Sequence, residues 1–142
     1  MKIVSRGLVV IIPAVLATGL LSAHPGEYHN YSGGELYARF CASCHGVSGA
    51  GDGPVVEALA VHVPDLREIS VRGGNRFSRE WLYRIIDGRV SIVAHGTRAM
   101  PVWGTGFYDE YGADAKAQQK VDKIIGELAD YIIAIQIPAR EN

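Results

Sequence analysis

Apolar residues recur at helical spacing in three stretches of the chain, residues 32–41, 78–87 and 114–135. Apolar side chains three or four positions apart share one face of a helix, so each stretch predicts a helix with one buried face. A shorter helix is predicted over residues 55–60, because Pro54 has the fixed φ that suits a first helical position. The buried face of the last helix is predicted to consist of Val121, Ile124, Ile125, Leu128, Ala129, Ile132 and Ile135.

Polar residues and glycines mark where these helices begin and end. Ser32 and Glu35 have capping-box spacing, in which each side chain can accept a hydrogen bond from the other residue's backbone N–H. Ser78 is placed to cap the second long stretch, and Gly88 suits the position just after its end. Pro138 is expected to end the last helix.

Two other stretches, residues 62–75 and 89–111, have little helical periodicity and predict loops. The second contains Met100, and a long irregular segment in a small domain is often functional. Gly126 lies inside the last predicted helix, where glycine costs about 1 kcal/mol relative to alanine. We therefore expect another helix, the one that starts at Gly33, to approach closely there.

The N-terminal residues 1–23 have the pattern of a secretory signal. Basic residues without acidic ones precede an apolar stretch at 8–21, and Ala23 supplies a small residue before the cut. Cleavage after Ala23 is the first expectation and cleavage after Gly19 the second. The stretch is shorter than the roughly 20 residues that span a bilayer, and an uncleaved anchor stays open as the alternative. The expected division is a signal at 1–23, a polar lead-in at 24–31, one domain at 32–137 and a tail at 138–142.

The densest chemistry lies in the sequence Cys41-Ala42-Ser43-Cys44-His45, a CxxCH motif. This spacing is typical of c-type haem attachment. Two thiols three residues apart can each form a thioether to one vinyl group of a single porphyrin. The histidine that follows is then placed to bind the iron as its proximal ligand.

Three other interpretations of the motif are weaker. A zinc site usually needs four ligands, and the remaining histidines (His24, His29, His62, His95) lack partner spacing. A thioredoxin-like pair would require a βαβ pattern around it, whereas the flanks predict helices. A structural disulfide is compatible with an exported protein. Since the chain contains no other CxxCH, we expect one haem.

Met100 is the best candidate for the second axial position of the iron. It is the only methionine besides Met1, and it lies in a loop rather than on a helix face, where a methionine is usually core filler. Pro101 biases it to an extended conformation. Thioether ligation would raise the reduction potential. His95, His62, a water molecule and an open position remain as alternatives.

Residues 46–54 are rich in glycine and are expected to wrap closely around a flat ligand. The second ring nitrogen of a proximal histidine usually donates to a backbone carbonyl, which fixes the orientation of the ring. For His45 we expect that carbonyl near Gly53 or Pro54.

The chain resembles class I cytochromes c over about residues 32–137. The resemblance rests on the segments GGELYARFCASCHG, GAGDGP, FSREWLYRIIDG, HGTRAMPVWG and ELADYIIAIQ. It implies an all-α fold of about four helices around one covalent haem c, with the first and last helices crossing near Gly33 and Tyr131. It also implies thioethers at Cys41 and Cys44, with His45 and Met100 as iron ligands. Small bacterial members with both a GDGP loop and an MPxWG loop are the most similar.

The expected function is one-electron transfer outside the cytoplasmic membrane, in the periplasm, between a protein donor and a protein acceptor, without enzymatic activity of the chain itself. Membrane association would come only through a partner or an uncleaved signal. A haem subunit of a larger dehydrogenase, reductase or oxidase is the alternative. A gas-binding haem protein is a further one, and it would require an open or displaceable sixth position.

Charge argues against one class of partner and suggests another. The chain has 14 basic and 15 acidic residues, and removing the signal takes away Lys2 and Arg6, so the net charge becomes −3 and nucleic acid is not expected as a partner. Residues 67–98 hold seven arginines against three acids. This run is either a solvated surface with one or two arginines neutralising haem propionates, or a face that docks an acidic redox partner.

Overall fold

The computed structural model describes residues 27–73, 77–89 and 100–138, and every regular element in these ranges is helical. The α-helices are α1 (Gly33–Phe40), α2 (Ala42–His45), α3 (Ile69–Gly73), α4 (Arg79–Asp87), α5 (Trp103–Glu110) and α6 (Ala115–Ala134). Three 3-10 turns accompany them at Tyr28–Asn30, Val56–Ala58 and Leu66–Glu68. The predicted all-α fold class is confirmed. Four of the helices have eight or more residues.

The predicted helix caps are present. The Ser32 hydroxyl accepts from the Glu35 backbone N–H, and the Glu35 carboxylate accepts from the Ser32 N–H at 2.8 Å, which completes the capping box. Ser78 accepts from the Trp81 N–H at 3.1 Å and begins α4. Gly88 ends α4 with a φ of 71°, a left-handed conformation that favours glycine. These bonds satisfy backbone groups that a helix end otherwise leaves unpaired.

Helix α6 forms the centre of the fold, and α1, α4 and α5 all pack against it. Its predicted apolar face is buried except at Ile135, which follows the last turn and is half-buried. The helix ends at Ala134, before Pro138, and Ile137 then donates its N–H to the Arg67 carbonyl at 2.9 Å. The buried core is Leu36, Tyr37, Ala42, Leu82, Ile86, Phe107, Val121, Ile124, Ile125, Leu128, Ala129 and Ile132.

The crossing of α1 and α6 lies at Gly33. A side-chain carbon at this position would collide with the Glu127 carbonyl oxygen and lie 2.8 Å from the Tyr131 Cβ. The predicted crossing near Gly33 and Tyr131 is therefore confirmed. The expectation that Gly126 marks this approach is wrong, because Gly126 faces the guanidinium of Arg79 on α4, and a side-chain carbon at Gly126 would lie 2.9 Å from that group.

Three predictions about loops and short helices require correction. The predicted helix over 55–60 is only the 3-10 turn Val56–Ala58. The predicted loop over 62–75 contains Leu66–Glu68 and α3, because Asp65 accepts from the Arg67 N–H at 2.8 Å and starts the turn. The predicted loop over 89–111 contains α5, where the burial of Phe107 outweighs the low helix propensity of two glycines.

Several sequence predictions lie outside the described residues. They include the signal and its cleavage site, the first three residues of the lead-in (24–26, with His24), His95 and the last four residues. Within the described ranges, the helices are too short or too polar to cross a bilayer.

Candidate haem site

The CxxCH motif forms a single helical turn directly after α1. Cys41 ends α1, and its carbonyl accepts from the backbone N–H groups of Cys44 at 3.1 Å and His45 at 2.9 Å. Residues three apart on a helical turn share one face, so the two cysteines are presented together. Both are half-buried and carry free thiols, with no disulfide between them. The motif is therefore a local unit whose geometry the backbone fixes.

The Cys41 thiol is held in its neutral form. Burial, with a smaller contribution from the nearby Cys44, raises the pKa of Cys41 to about 12. Burial disfavours a thiolate because charge is poorly solvated away from water. The unmodified Cys41 thiol is therefore protonated at physiological pH.

The His45 ring is oriented by a backbone carbonyl. Its Nδ1 lies 3.4 Å from the carbonyl oxygen of Pro64. A carbonyl can only accept, so this bond places the proton on Nδ1 and leaves the lone pair of Nε2 for a metal. Burial lowers the pKa of His45, and the bond to Pro64 offsets this only in part. A neutral imidazole is the form that binds iron.

The prediction that Gly53 or Pro54 supplies this carbonyl is wrong. Gly53 instead lies against the backbone of the motif itself. It donates its N–H to the Cys44 carbonyl at 3.2 Å, and a side-chain carbon there would collide with the Ser43 carbonyl oxygen. Only glycine allows this approach. The glycine-rich segment therefore folds onto the CxxCH turn, and the acceptor for His45 comes from ten residues further along.

A buried tyrosine holds the start of the same segment. The Tyr37 hydroxyl donates to the Gly46 carbonyl at 2.8 Å, and Tyr37 is 1% exposed. Its ring packs on Tyr131 of α6 with centroids 5.0 Å apart. Burial is the main cause of the raised pKa of Tyr37, so the hydroxyl remains a donor. The crossing of α1 and α6 is thus linked directly to the residue after His45.

The end of α6 fixes the segment that carries Pro64. Leu66 donates its N–H to the Gly49 carbonyl at 2.7 Å. The Gln136 amide donates to the Leu66 carbonyl and accepts from the Ser70 N–H, both at 2.8 Å. Neither Pro64 nor Gln136 could be predicted from sequence, because no local pattern indicates a partner 19 positions away for Pro64 or 66 and 70 positions away for Gln136.

Met100 lies at the edge of the core, half-buried and in contact with it, three residues before α5. Its role as distal ligand stays a prediction. His62 is exposed, and His95 lies outside the described residues. Among the residues with described positions, no group of three or more histidine, cysteine or acidic side chains is arranged to hold a metal ion.

These residues fit a covalently bound haem. Two thiols on one helical face can take the two vinyl groups, an imidazole with a free Nε2 follows, and the surrounding fold is helical. Together they define a c-type cytochrome domain. A family model described as "Cytochrome C oxidase, cbb3-type, subunit III" matches residues 30–118.

Because that match spans more than half of the sequence, the chain belongs to this family. It is a c-type haem electron-transfer protein that binds covalently attached haem c, and domains of this kind are usually extracytoplasmic. Comparison with curated proteins gave no match, and comparison with solved structures gave none either.

Proposed function

We propose that the chain carries one haem c, attached to Cys41 and Cys44, with His45 and Met100 as the axial ligands, and that it passes single electrons between protein partners. The observation that carries the proposal is the His45 ring, which is half-buried in the CxxCH turn with Nδ1 directed to Pro64. Such a bond fixes the tautomer and the ring plane of a ligand histidine. The haem, when bound, supplies the exchange between Fe(II) and Fe(III).

The polypeptide contributes rigidity. Tyr37 bonds the Gly46 carbonyl next to His45, and Gln136 bonds the Leu66 carbonyl near Pro64. The imidazole is therefore held between two chain segments that are themselves fixed by hydrogen bonds. A site whose ligand is held by hydrogen bonds from packed neighbouring residues needs little rearrangement when the charge at the site changes. Low rearrangement is what a one-electron carrier requires.

The test is to produce the protein in a host that attaches haem c, purify it and record its optical spectrum in both oxidation states. We expect pigment that acidified organic solvent does not extract, because thioethers are covalent. We also expect a sulfur-to-iron absorption in the ferric protein and no carbon monoxide binding to the ferrous protein.

Met100→Ala should abolish the sulfur-to-iron absorption and admit carbon monoxide. His62→Ala, which changes an exposed histidine, should leave both properties unchanged. Retention of the sulfur absorption in Met100→Ala would refute the ligand assignment. Prompt carbon monoxide binding by the unmodified protein would favour the gas-binding alternative over the carrier.

A second candidate function is that of a haem subunit within an oxidase complex, and the family description favours it. The two candidates share the same haem site and differ in whether the protein stays attached to a partner. Size separation with haem detection, applied both to the soluble fraction of native cells and to membranes extracted with mild detergent, distinguishes them. A haem band that migrates with a much larger oxidase supports the subunit, whereas a haem band the size of a single chain, in either fraction, supports the free carrier.

We also propose periplasmic location, with a signal at residues 1–23, a lead-in at 24–31, the haem domain at 32–137 and a tail at 138–142. Haem attachment outside the cytoplasm supports this order. Mass measurement of the mature protein tests it. A chain that begins at His24 agrees with cleavage after Ala23, and a chain that keeps residue 2 indicates an uncleaved anchor.

A further inference from the structure

An acidic side chain is buried at the end of α4. Asp87 is 6% exposed, and it is the only charged residue among the described positions that is buried. Arg89 surrounds it: the Arg89 backbone N–H donates to Oδ2 at 3.2 Å, its Nε donates to Oδ1 at 2.9 Å, and a terminal guanidinium nitrogen lies 2.8 Å from Oδ1. A carboxylate is buried at low cost only when it is paired and hydrogen-bonded in this way.

The same pair is enclosed by α5 and α6. On α5, Gly104 lies so close that a side-chain carbon would collide with the Asp87 carboxylate and reach 2.8 Å from the Arg89 Nε. The Arg89 guanidinium also lies 6.0 Å from the ring centroid of Tyr108 and donates to the Gln118 side chain of α6 at 2.8 Å. The pair therefore joins the end of α4 to the beginnings of α5 and α6.

The position of this junction in the chain is informative. Arg89 immediately precedes the segment that leads to Met100, and Gly104 follows Met100 by four residues. Both sides of the segment that carries Met100 are thereby fastened at one point. A buried ion pair is weak evidence for a gain in the free energy of unfolding. The role of this pair is therefore better explained by where it holds the chain, at both ends of the segment that carries Met100.

We propose that Asp87, Arg89 and Gly104 are positioning residues that hold Met100 at the distal side of the haem iron. The inference rests on the proposed ligation by Met100. Asp87 fixes Arg89, which lies before the segment that carries Met100. Because Gly104 has no side chain, α5 can begin close to Asp87, and the connection from Met100 to α5 stays short. A methyl group at Gly104 would push α5 away from Asp87 and loosen the sulfur.

The test uses the ferric holoprotein and imidazole, which competes with a thioether for the iron. Gly104→Ala is compared with Gly106→Ala, because Gly106 lies on the same helix and a side-chain carbon there would meet open space. Residues that position a metal ligand commonly change metal affinity about 10- to 100-fold. We expect imidazole to bind Gly104→Ala about tenfold more tightly than the unmodified protein, in line with the lower limit of such effects, and Gly106→Ala to be unchanged.

Asp87→Asn provides a second variant that keeps the shape of the side chain, and it decides the question alone if Gly104→Ala does not accumulate with haem. Its matched control is Glu80→Gln, which alters an exposed acid of the same helix that lies 3.9 Å from Arg84. We expect tighter imidazole binding and a weaker sulfur-to-iron absorption in Asp87→Asn only. A purely structural role would lower the denaturation midpoint without changing imidazole affinity under native conditions.

The outcomes distinguish failure of the positioning role from failure of the ligand assignment. If Met100→Ala abolishes the sulfur absorption while Gly104→Ala and Asp87→Asn bind imidazole like their controls, the positioning role is overturned and the ligand assignment stands. If Met100→Ala keeps the absorption, the ligand assignment fails and the positioning role fails with it.

Discussion

The close approach of α1 to α6 at Gly33 gives a sharp test of the packing, because the chain contains its own control. Gly33→Ala adds a methyl group where the Glu127 carbonyl and the Tyr131 Cβ already lie. Gly34→Ala adds the same group at the next position, where the nearest atom is the Tyr131 Cε2 at 3.4 Å, an ordinary contact. Both glycines lie in the first turn of α1.

The expected cost follows from what obstructs the methyl group. The Glu127 carbonyl belongs to the backbone of α6, so it cannot rotate away, and the two helices must separate. Overpacking of this kind costs about 1–3 kcal/mol. Alanine recovers at most about 1 kcal/mol of helix propensity. We therefore expect a net loss of about 1–2 kcal/mol for Gly33→Ala, whereas Gly34→Ala should be neutral or slightly stabilising.

The assay is equilibrium urea unfolding of each holoprotein, followed by far-ultraviolet circular dichroism, with thermal unfolding in parallel. At about 4 °C per kcal/mol for a domain of this size, Gly33→Ala should lower the melting temperature by about 4–8 °C. Equal stability of the two variants would refute the crossing geometry. A larger loss in Gly34→Ala would show that Gly34, and not Gly33, lies against α6.

Two further predictions concern single bonds. Tyr37→Phe removes one of the two hydrogen bonds to the buried Gly46 carbonyl, which keeps the Gly49 N–H at 3.2 Å, and should cost about 0.5–1.5 kcal/mol in urea unfolding, whereas Tyr108→Phe removes a more exposed bond and should cost less; equal losses would contradict the linkage between α1 and the haem turn. Arg79 hydrogen-bonds Asp130 at 2.6 Å and holds the pKa of that carboxyl below its usual value, so its stabilisation is present above the unfolded pKa of about 4 and is lost as the pH falls through the folded pKa. Stability of Arg79→Gln, measured by urea unfolding from neutral to acid pH, should therefore fall less steeply than that of the unmodified protein.

The helices that sequence predicted correctly are those whose signals lie within a few residues. The capping box at Ser32, the cap at Ser78 and the left-handed glycine at Gly88 each act within one turn, so they can be read without knowledge of the fold. The CxxCH motif is local for the same reason, since one helical turn presents both thiols. The family relation could also be inferred from sequence, because it rests on the order of such motifs.

The features that sequence did not predict depend on distant contacts. Helix α5 contains two glycines, and the burial of Phe107, whose ring packs on Phe40 at a centroid distance of 5.1 Å, stabilises it despite them. Pro64 becomes the partner of His45 because Gln136, at the far end of the chain, fixes the neighbouring segment. A glycine inside a helix, such as Gly126, indicates a close helix contact, but here the long side chain of Arg79 fills the space that the glycine leaves. Local pattern cannot distinguish these cases, because spacing along one helix does not identify the neighbour.

The described arginines of the arginine-rich run, residues 67–98, are all paired with acidic side chains. Each of its five described arginines lies within 4 Å of a carboxylate, so five positive charges face five negative ones. The pairs are Arg67 with Asp65, Arg72 with Glu68, Arg79 with Asp130, Arg84 with Glu80 and Arg89 with Asp87. Two of these acids, Asp65 and Asp130, lie outside the run, and the sequence count therefore overstated its charge.

Paired charges produce fields that fall off faster with distance than those of isolated charges, and salt screens what remains over about 10 Å. The described part of the run is therefore a poor source of long-range attraction for an acidic partner, and the docking hypothesis would depend on Arg76 and Arg98, which lie outside the described residues.

The pairs have a structural consequence instead. Arg79 joins α4 to α6, and Arg89 joins α4 to α5 and α6, so the arginines connect the helices on both sides of Met100. If the arginine-rich run steers an acidic partner, the rate of association must fall strongly with added salt. This salt dependence must be smaller in Arg76→Gln and Arg98→Gln, but not in Arg72→Gln.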